Sequence, residues 1–427
     1  MANTALDGKP YAGNPHVRID EGDGASAKPR RSSLLYKKLM TMCCLMGLGV
    51  ALAAEPQAQN VPDLMTTKAG QKVTTVEMWE KVRRPELMKT FLENEYGYRP
   101  VERPDSLTFE TAEPDKVMMD GKALRKRIRA RWTGPKGAHS FVFTAFIPMT
   151  GKTKPAPGFI LICNRPPEPN IDPNRQFKSP FWPAEEIVAR GYAALSFWNG
   201  DIAADNAKTG CQTGVFTCYG TERTPNSWGV LSAWAWGASR VLDWVETEPM
   251  LDAKHFGVVG HSRGGKTALV ASVMDSRFAM ACSNDSGCSG AKLNHITLPK
   301  SETIKIITRA FPHWFCVNYR QFAGKDQEID FDQHMWMALI APRAVAIASA
   351  SEDHWAGQEG EYLTGKYASP AWELYGKKGL VSSDYTKPGE ARQEGTISYH
   401  LRPGGHNLLL HDWNRYMDFA DRLGWRK

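Results

Sequence analysis

The stretch "FGVVGHSRGGKTALVASVM", Phe256–Met274, decides the fold. It opens with a short apolar run, the pattern of a buried strand, and closes with a helical pattern. Between the two, Ser262 stands in Gly260-His261-Ser262-Arg263-Gly264. The glycines let the chain turn tightly without Cβ clashes, so the serine projects from a strand-to-helix turn. The helix N-terminus behind it favours developing negative charge. G-x-S-x-G is common by chance, but with a strand before and a helix after it reads as a nucleophile. Arg263 and Lys266 raise a second question. Both lie on the first helical turn, where the helix dipole disfavours cations. Either a bound anionic group or nearby carboxylates must compensate.

Working outward, further apolar runs look like buried strands: "GFILICN" (Gly158–Asn164) and "GYAALSFWN" (Gly191–Asn199) upstream, "FAMACSNDSG" and "RAVAIASASED" downstream. Helical patterns separate them, and Val230–Thr247 reads as an amphipathic helix. Strands alternating with helices predict an α/β fold, a three-layer sandwich with a mostly parallel sheet. In such sheets chemistry collects at the carboxyl ends of strands. Residues 101–427 read as one catalytic domain. Residues 55–100 read as a helical segment packing on it, with Val76–Gly97 interrupted near Pro85. The loop Gly200–Gly229 is long enough to suggest a functional role.

A nucleophilic serine needs a base, and in this fold the chain order is serine, acid, histidine. "RPGGHNLLLHDW" (Arg402–Trp413) places His406 after two glycines and after the strand-like "GTISYHL", where the catalytic loop belongs. His411 falls on the next helix and reads as structural. The acid has two candidates at strand ends: Asp353 in "SASEDHWA" and Asp285 in "SNDSG". Glu352 should point elsewhere. The Arg263 backbone N–H should donate to the oxyanion, with a second donor from the loop near Asn164.

Composition reads as a soluble globular protein, with 42% hydrophobic and 23% charged residues. The formal net charge of +7 includes a basic cluster at Arg30, Arg31, Lys37 and Lys38, and no dense Lys/Arg run follows it. Nucleic-acid binding has little support. That cluster, the apolar Leu39–Ala53 and the small residues Ala51–Ala54 read as an export signal over 1–54, leaving no stable membrane insertion after cleavage. A secreted or periplasmic monomer is expected. The cysteines beyond the signal, Cys163, Cys211, Cys218, Cys282, Cys288 and Cys316, could oxidise after export. Cys211 and Cys218 share one loop and are the easiest to join. No C-x-x-C suggests a metal site. The 14 tryptophans suit a core or a sugar-binding cleft.

The motifs "GHSRGGKTAL", "SNDSGCSGAKL", "PHWFC", "DQHMWMALIAPRAVAIASASEDHWA" and "YHLRPGGHNLLLHDW" resemble the bacterial branch of the glucuronoyl esterases, carbohydrate esterase family 15 of the α/β-hydrolase superfamily. The resemblance implies hydrolysis of the ester joining 4-O-methyl-glucuronic acid on xylan to lignin alcohols, with no metal or cofactor. It makes Ser262 the nucleophile and His406 the base. It implies that the Arg263 guanidinium binds the oxyanion, that Lys266 holds sugar hydroxyls and that Trp355 packs by the sugar. Glu302, in "KSETIKI", is a looser match to a sugar-binding glutamate. Many members carry Glu at the position of Asp285. Aspartate is a methylene shorter, which favours Asp353 as the acid with Asp285 as a helper. Fungal members have cysteines where this chain has His261 and Asn407, so that disulfide is not expected. Two rival readings remain: an acetyl-xylan or general carboxylesterase, and a non-catalytic carbohydrate-binding relative.

Overall fold

A computed structural model describes residues 58–149 and 154–426, so the expected export signal in 1–54 lies outside the described residues. One ten-stranded sheet carries the fold. Its strands are β1 Thr108–Met118, β2 Ala123–Gly134, β3 Gly137–Pro148, β4 Ala156–Cys163, β5 Ala193–Trp198, β6 Leu251–His261, β7 Met280–Asn284, β8 Ala344–Ala350, β9 Ala391–Arg392 and β10 Ile397–Arg402. Their spatial order is β1-β2-β3-β5-β4-β6-β7-β8-β10-β9. β1, β2, β3 and β5 pair antiparallel in turn. β5, β4, β6, β7, β8 and β10 then run parallel, and β9 adds an antiparallel edge.

The central parallel strands are largely apolar because both their faces are covered. Ile160 and Ile162 of β4 join one core cluster with Val258 of β6 and Val345 and Ile347 of β8. Phe159, Leu161 and Cys163 join a second cluster with Val259 and Ala346. The first cluster packs the helices Val230–Val245 and Arg263–Met274. The second packs the helices Ala184–Ala189 and Leu410–Arg422. This is the expected sandwich of helix, sheet and helix. The chain passes from β4 to β5 on one side and then to β6 on the other. A crevice therefore opens at the carboxyl ends of β4 and β6, the usual ligand position in open α/β sheets.

The Val230–Val245 helix departs from the amphipathic expectation, since every residue in it is buried. Its outer face is covered by residues 96–102: Ser232 Oγ donates to Tyr96 O at 2.8 Å and Trp236 Nε1 donates to Val101 O at 3.0 Å. Arg240 and Asp243, both on this helix, bond each other at 2.6 Å inside the protein. The break near Pro85 is a π-helical turn, Trp79–Arg83, joining Val76–Met78 to Arg84–Asn94. Proline cannot donate to the preceding turn, and the wider turn accommodates that loss.

Cys211 and Cys218, the pair easiest to join, are not linked, and all six described cysteines are free and buried. Their side chains serve different neighbours. Cys211 Sγ accepts from Arg223 at 2.9 Å, while Cys218 lies against Gly134 at the end of β2. The tryptophans are mostly core. Trp79, Trp132, Trp182, Trp234, Trp236, Trp336, Trp372 and Trp413 are among the largest fully buried side chains, and of the 14 only Trp355 is exposed.

Candidate active site

Ser262 joins β6 to the Arg263–Met274 helix with φ 56° and ψ −124°. A non-glycine residue rarely adopts positive φ, so the turn holds local strain at the predicted nucleophile. The surroundings hold it there. Ser262 N donates to Asn284 O at 2.8 Å, and Gly265 N donates to Ser262 O at 2.8 Å. Gly260 has no substitute, because a Cβ there would sit 2.0 Å from Gly264 O. Asn164, just past the end of β4, has its side chain against Gly264 on the first helical turn. The Arg263 N–H is among the first-turn donors that have no partner within their own helix.

His406 lies on the loop after β10, partly exposed, and its Nδ1 is 2.5 Å from Asp353 Oδ2. Asp353 follows β8 and is buried; its other oxygen accepts from Ala356 N at 3.2 Å. Asp285 follows β7 with φ 44° and is also buried. Ligand atoms of Asp285, Asp353 and His406 all lie within 4.8 Å of one another. Neither Asp285 oxygen has a hydrogen-bond partner among the described residues. Burial, then the charge of Asp353, pushes the Asp285 carboxyl well above the usual carboxylate range. One histidine thus faces two carboxyl groups, one hydrogen-bonded to it and one buried with Arg402 Nη2 3.6 Å away. These three side chains are also the one group with metal-ligand spacing among the described residues.

His261 lies beneath His406, ring centroids 4.3 Å apart. Burial, with repulsion from His406 and Arg165, keeps its pKa well below that of a free imidazole. Its Nδ1 is 2.6 Å from Asn284 Oδ1, where a neutral ring donates. A neutral neighbour adds no repulsion when His406 takes up a proton. Other downstream histidines serve elsewhere: His295 bonds Asp332, His400 bonds Asp412, and His334 bonds Pro62 O. His411 sits on the Leu410–Arg422 helix with its ring 6.0 Å from that of His400.

Carboxylates compensate both unexplained cations. Arg263 Nη1 donates to Asp205 Oδ2. Lys266 Nζ donates to Ser286 O at 2.5 Å, Cys288 O at 2.6 Å and Glu302 Oε2 at 2.8 Å. An ammonium has three N–H donors, so all of them are engaged here. Glu302 is tied in turn to the exposed Trp355, whose carbonyl accepts from Glu302 N at 2.9 Å. Lys266, Glu302 and Trp355 therefore form one connected unit beside the turn that carries Asp285.

Several supporting residues carried no sequence signal. Glu361, buried on the Gln358–Ala368 helix, accepts from Ser286 N at 2.7 Å and Gly287 N at 2.9 Å, and from Ser349 Oγ at 2.5 Å. It thereby fixes the turn after Asp285, and burial pushes its pKa up to about 7. Arg402 donates to the carbonyls of Pro403, Gly405 and Asn407, bracing the His406 loop from inside. Arg165 reaches across from the end of β4 to Asn407 Oδ1 at 2.8 Å while stacking on Phe181.

With this geometry in place, the comparisons with known proteins fall on the same region. The family model described as "Glucuronyl esterase, fungi" matches residues 139–376. A carbohydrate esterase from an unknown prokaryotic organism is 32% identical over 396 residues, covering 86% of this chain and 90% of that one. A 4-O-methyl-glucuronoyl methylesterase from Podospora anserina is 28% identical over 333 residues, covering 75% of this chain and 61% of that one. The solved structure of a glucuronoyl esterase from Solibacter usitatus has a TM-score of 0.76 at 33% identity, covering 86% of this chain and 99% of that one.

Proposed function

The chain belongs to the glucuronyl esterase family, with the α/β-hydrolase fold and a carboxylic ester hydrolase activity, and we propose that Ser262, His406 and Asp353 carry that activity out. Its substrates are 4-O-methyl-glucuronoyl esters, and the natural one we infer is the ester between glucuronic acid on xylan and a lignin alcohol. The basic, apolar and small-residue pattern in 1–54 supports action in the periplasm or outside the cell. Among the described residues no helix is long and apolar enough to cross a membrane.

Ser262 Oγ attacks the ester carbonyl while His406 takes its proton. The negative charge that develops on the carbonyl oxygen is met by the Arg263 N–H and guanidinium and by the loop at Asn164. His406 then protonates the leaving alcohol. A water attacks the resulting acyl-serine by the same route in reverse, releasing the uronate. Asp353 holds the imidazole with Nδ1 protonated, which leaves Nε2 to serve as base. Asp285, buried beside Arg402 with Nη2 3.6 Å from its Oδ2, lies close enough to assist. Glu302 and Trp355 bind the sugar, and Lys266 holds Glu302 in place.

The observation that carries this reading is the buried Lys266–Glu302 ion pair beside the turn that carries Asp285, with the Glu302 main chain bonded to that of the exposed Trp355, an arrangement suited to a sugar and its hydroxyls. The test compares benzyl glucuronate with 4-nitrophenyl acetate. Preferential turnover of the glucuronate is expected; far faster turnover of the acetate would replace the substrate class.

A further inference from the structure

The segment Gly200–Gly229 folds into short helical pieces, Gly210–Gln212 and Val215–Tyr219, and one side chain from it enters the active site. Asp205 Oδ2 accepts from Arg263 Nη1, next to the nucleophile. Asp205 Oδ1 accepts from His313 Nε2 at 2.9 Å and Trp314 Nε1 at 2.8 Å. The loop is tied behind it, with Ala204 N donating to Thr213 Oγ1 at 3.0 Å. The carboxylate is therefore placed before any substrate arrives. Burial works against its charge, but the hydrogen bonds from His313, Trp314 and Arg263, with the charge of Arg263, hold its pKa well below the usual range.

Arg263 is constrained on a second side. Its guanidinium carbon lies 5.4 Å from the centre of the Trp314 ring and 5.9 Å from that of Phe311. Those two rings are stacked, 3.9 Å apart and within 4° of parallel. A carboxylate on one nitrogen and ring faces alongside fix a long side chain that is otherwise mobile. A guanidinium has five N–H donors in a rigid fork, so the ones that Asp205 leaves free are held in known directions.

The electrostatics matter as much as the geometry. The ester is neutral at its carbonyl, the transition state carries an oxyanion, and the released acid carries a carboxylate in the same place. A lone arginine would hold that product anion as firmly as the transition state. A neighbouring carboxylate cancels most of the net charge at a distance, yet leaves directional N–H donors for close contact. Discrimination then rests on oxyanion geometry and not on charge alone.

We propose that Asp205 is the positioning residue of this site: it holds Arg263 toward the oxyanion and offsets its charge so that the uronate product leaves. The positioning part rests on the assigned nucleophile, and the product part rests also on the glucuronoyl substrate.

The test uses the full-length protein with Asp205→Asn, Asp205→Glu, Arg263→Ala and the Asp205→Asn/Arg263→Ala pair. Asparagine keeps an oxygen for His313 and Trp314 but loses the charge facing Arg263. On both benzyl glucuronate and 4-nitrophenyl acetate, Asp205→Asn is expected to lower kcat about 10- to 100-fold with KM nearly unchanged. Asp205→Glu should recover part of that loss, and in the Arg263→Ala background Asp205→Asn should cost nothing further. Free glucuronate should inhibit Asp205→Asn about tenfold more strongly than the wild type. Wild-type kcat in Asp205→Asn, or a full additional loss without Arg263, overturns the positioning role. Unchanged inhibition by glucuronate overturns the charge-offset role. If the wild type turns over the acetate but no glucuronate ester, the substrate reading fails, while the acetate series still decides the positioning.

Discussion

Asp353 and Asp285 end neighbouring strands, and their relation to His406 differs: Asp353 Oδ2 lies 2.5 Å from its Nδ1, while Asp285 is buried without a hydrogen-bond partner among the described residues. Asp353→Asn should leave the wrong atom facing the ring and lower kcat by about 10³- to 10⁴-fold. Asp285→Asn changes a carboxyl that makes no hydrogen bond to the ring and should cost about tenfold or less. Steady-state kinetics on benzyl glucuronate give the ranking, and the reverse order would transfer the principal role to Asp285.

Ser262→Ala and His406→Ala each remove a part of one unit, so each should lower kcat by about 10⁴-fold or more, and the double variant by little beyond that. A fluorophosphonate probe should label the wild type and fail on Ser262→Ala. Labelling that persists in Ser262→Ala would place the nucleophile elsewhere, and no labelling of either would favour a carbohydrate-binding protein.

Lys266→Ala should raise KM about tenfold or more with a smaller change in kcat, because the ammonium supports Glu302 at the sugar and not the developing charge. It also strands a buried carboxylate, so stability should fall by about 3 kcal/mol in urea unfolding. A loss confined to kcat would move Lys266 into the oxyanion site.

Burial raises the pKa of Glu95 to about 8, against a carboxylate ordinarily near 4.5, although both its oxygens accept from Gln333 Nε2 at 3.1 Å. The native state therefore holds a proton that the unfolded chain gives up above that ordinary value. This contribution to stability is fully present at pH 4 and is lost as pH rises toward 8, with a slope of up to about 1.4 kcal/mol per pH unit. Glu361, raised to about 7, adds the same sign over a shorter range. Urea midpoints measured from pH 5 to 8 should fall in the wild type and flatten in Glu95→Gln; parallel slopes would show that Glu95 is ionised in the folded protein.

Legibility followed the range over which each signal acts. Strand, turn and helix around Ser262 could be read because periodicity and glycine placement act over a few residues. His406 could be read because a loop after the last strand has a defined place in the chain order of this fold. Between Asp353 and Asp285 the residues alone left two choices, since both follow strands; the distance to His406 separates them. The Val230–Val245 helix was misjudged because a polar pair such as Arg240 and Asp243 looks wet in sequence whether water or another segment covers it.

By itself the sequence determined the layered α/β architecture, the serine turn and the loop that carries His406, through patterns local to single elements. Only the tertiary structure decided what surrounds them. Asp205 meets Arg263 from 58 positions away in the chain, and Glu361 reaches the Asp285 turn from 75. Such contacts depend on how the sheet orders its strands, and no local pattern encodes which distant carboxylate arrives beside which cation. The two cations of "GHSRGGK" show the division: their presence is written in the chain, and the partners that make them tolerable at a helix N-terminus exist only once the fold has closed.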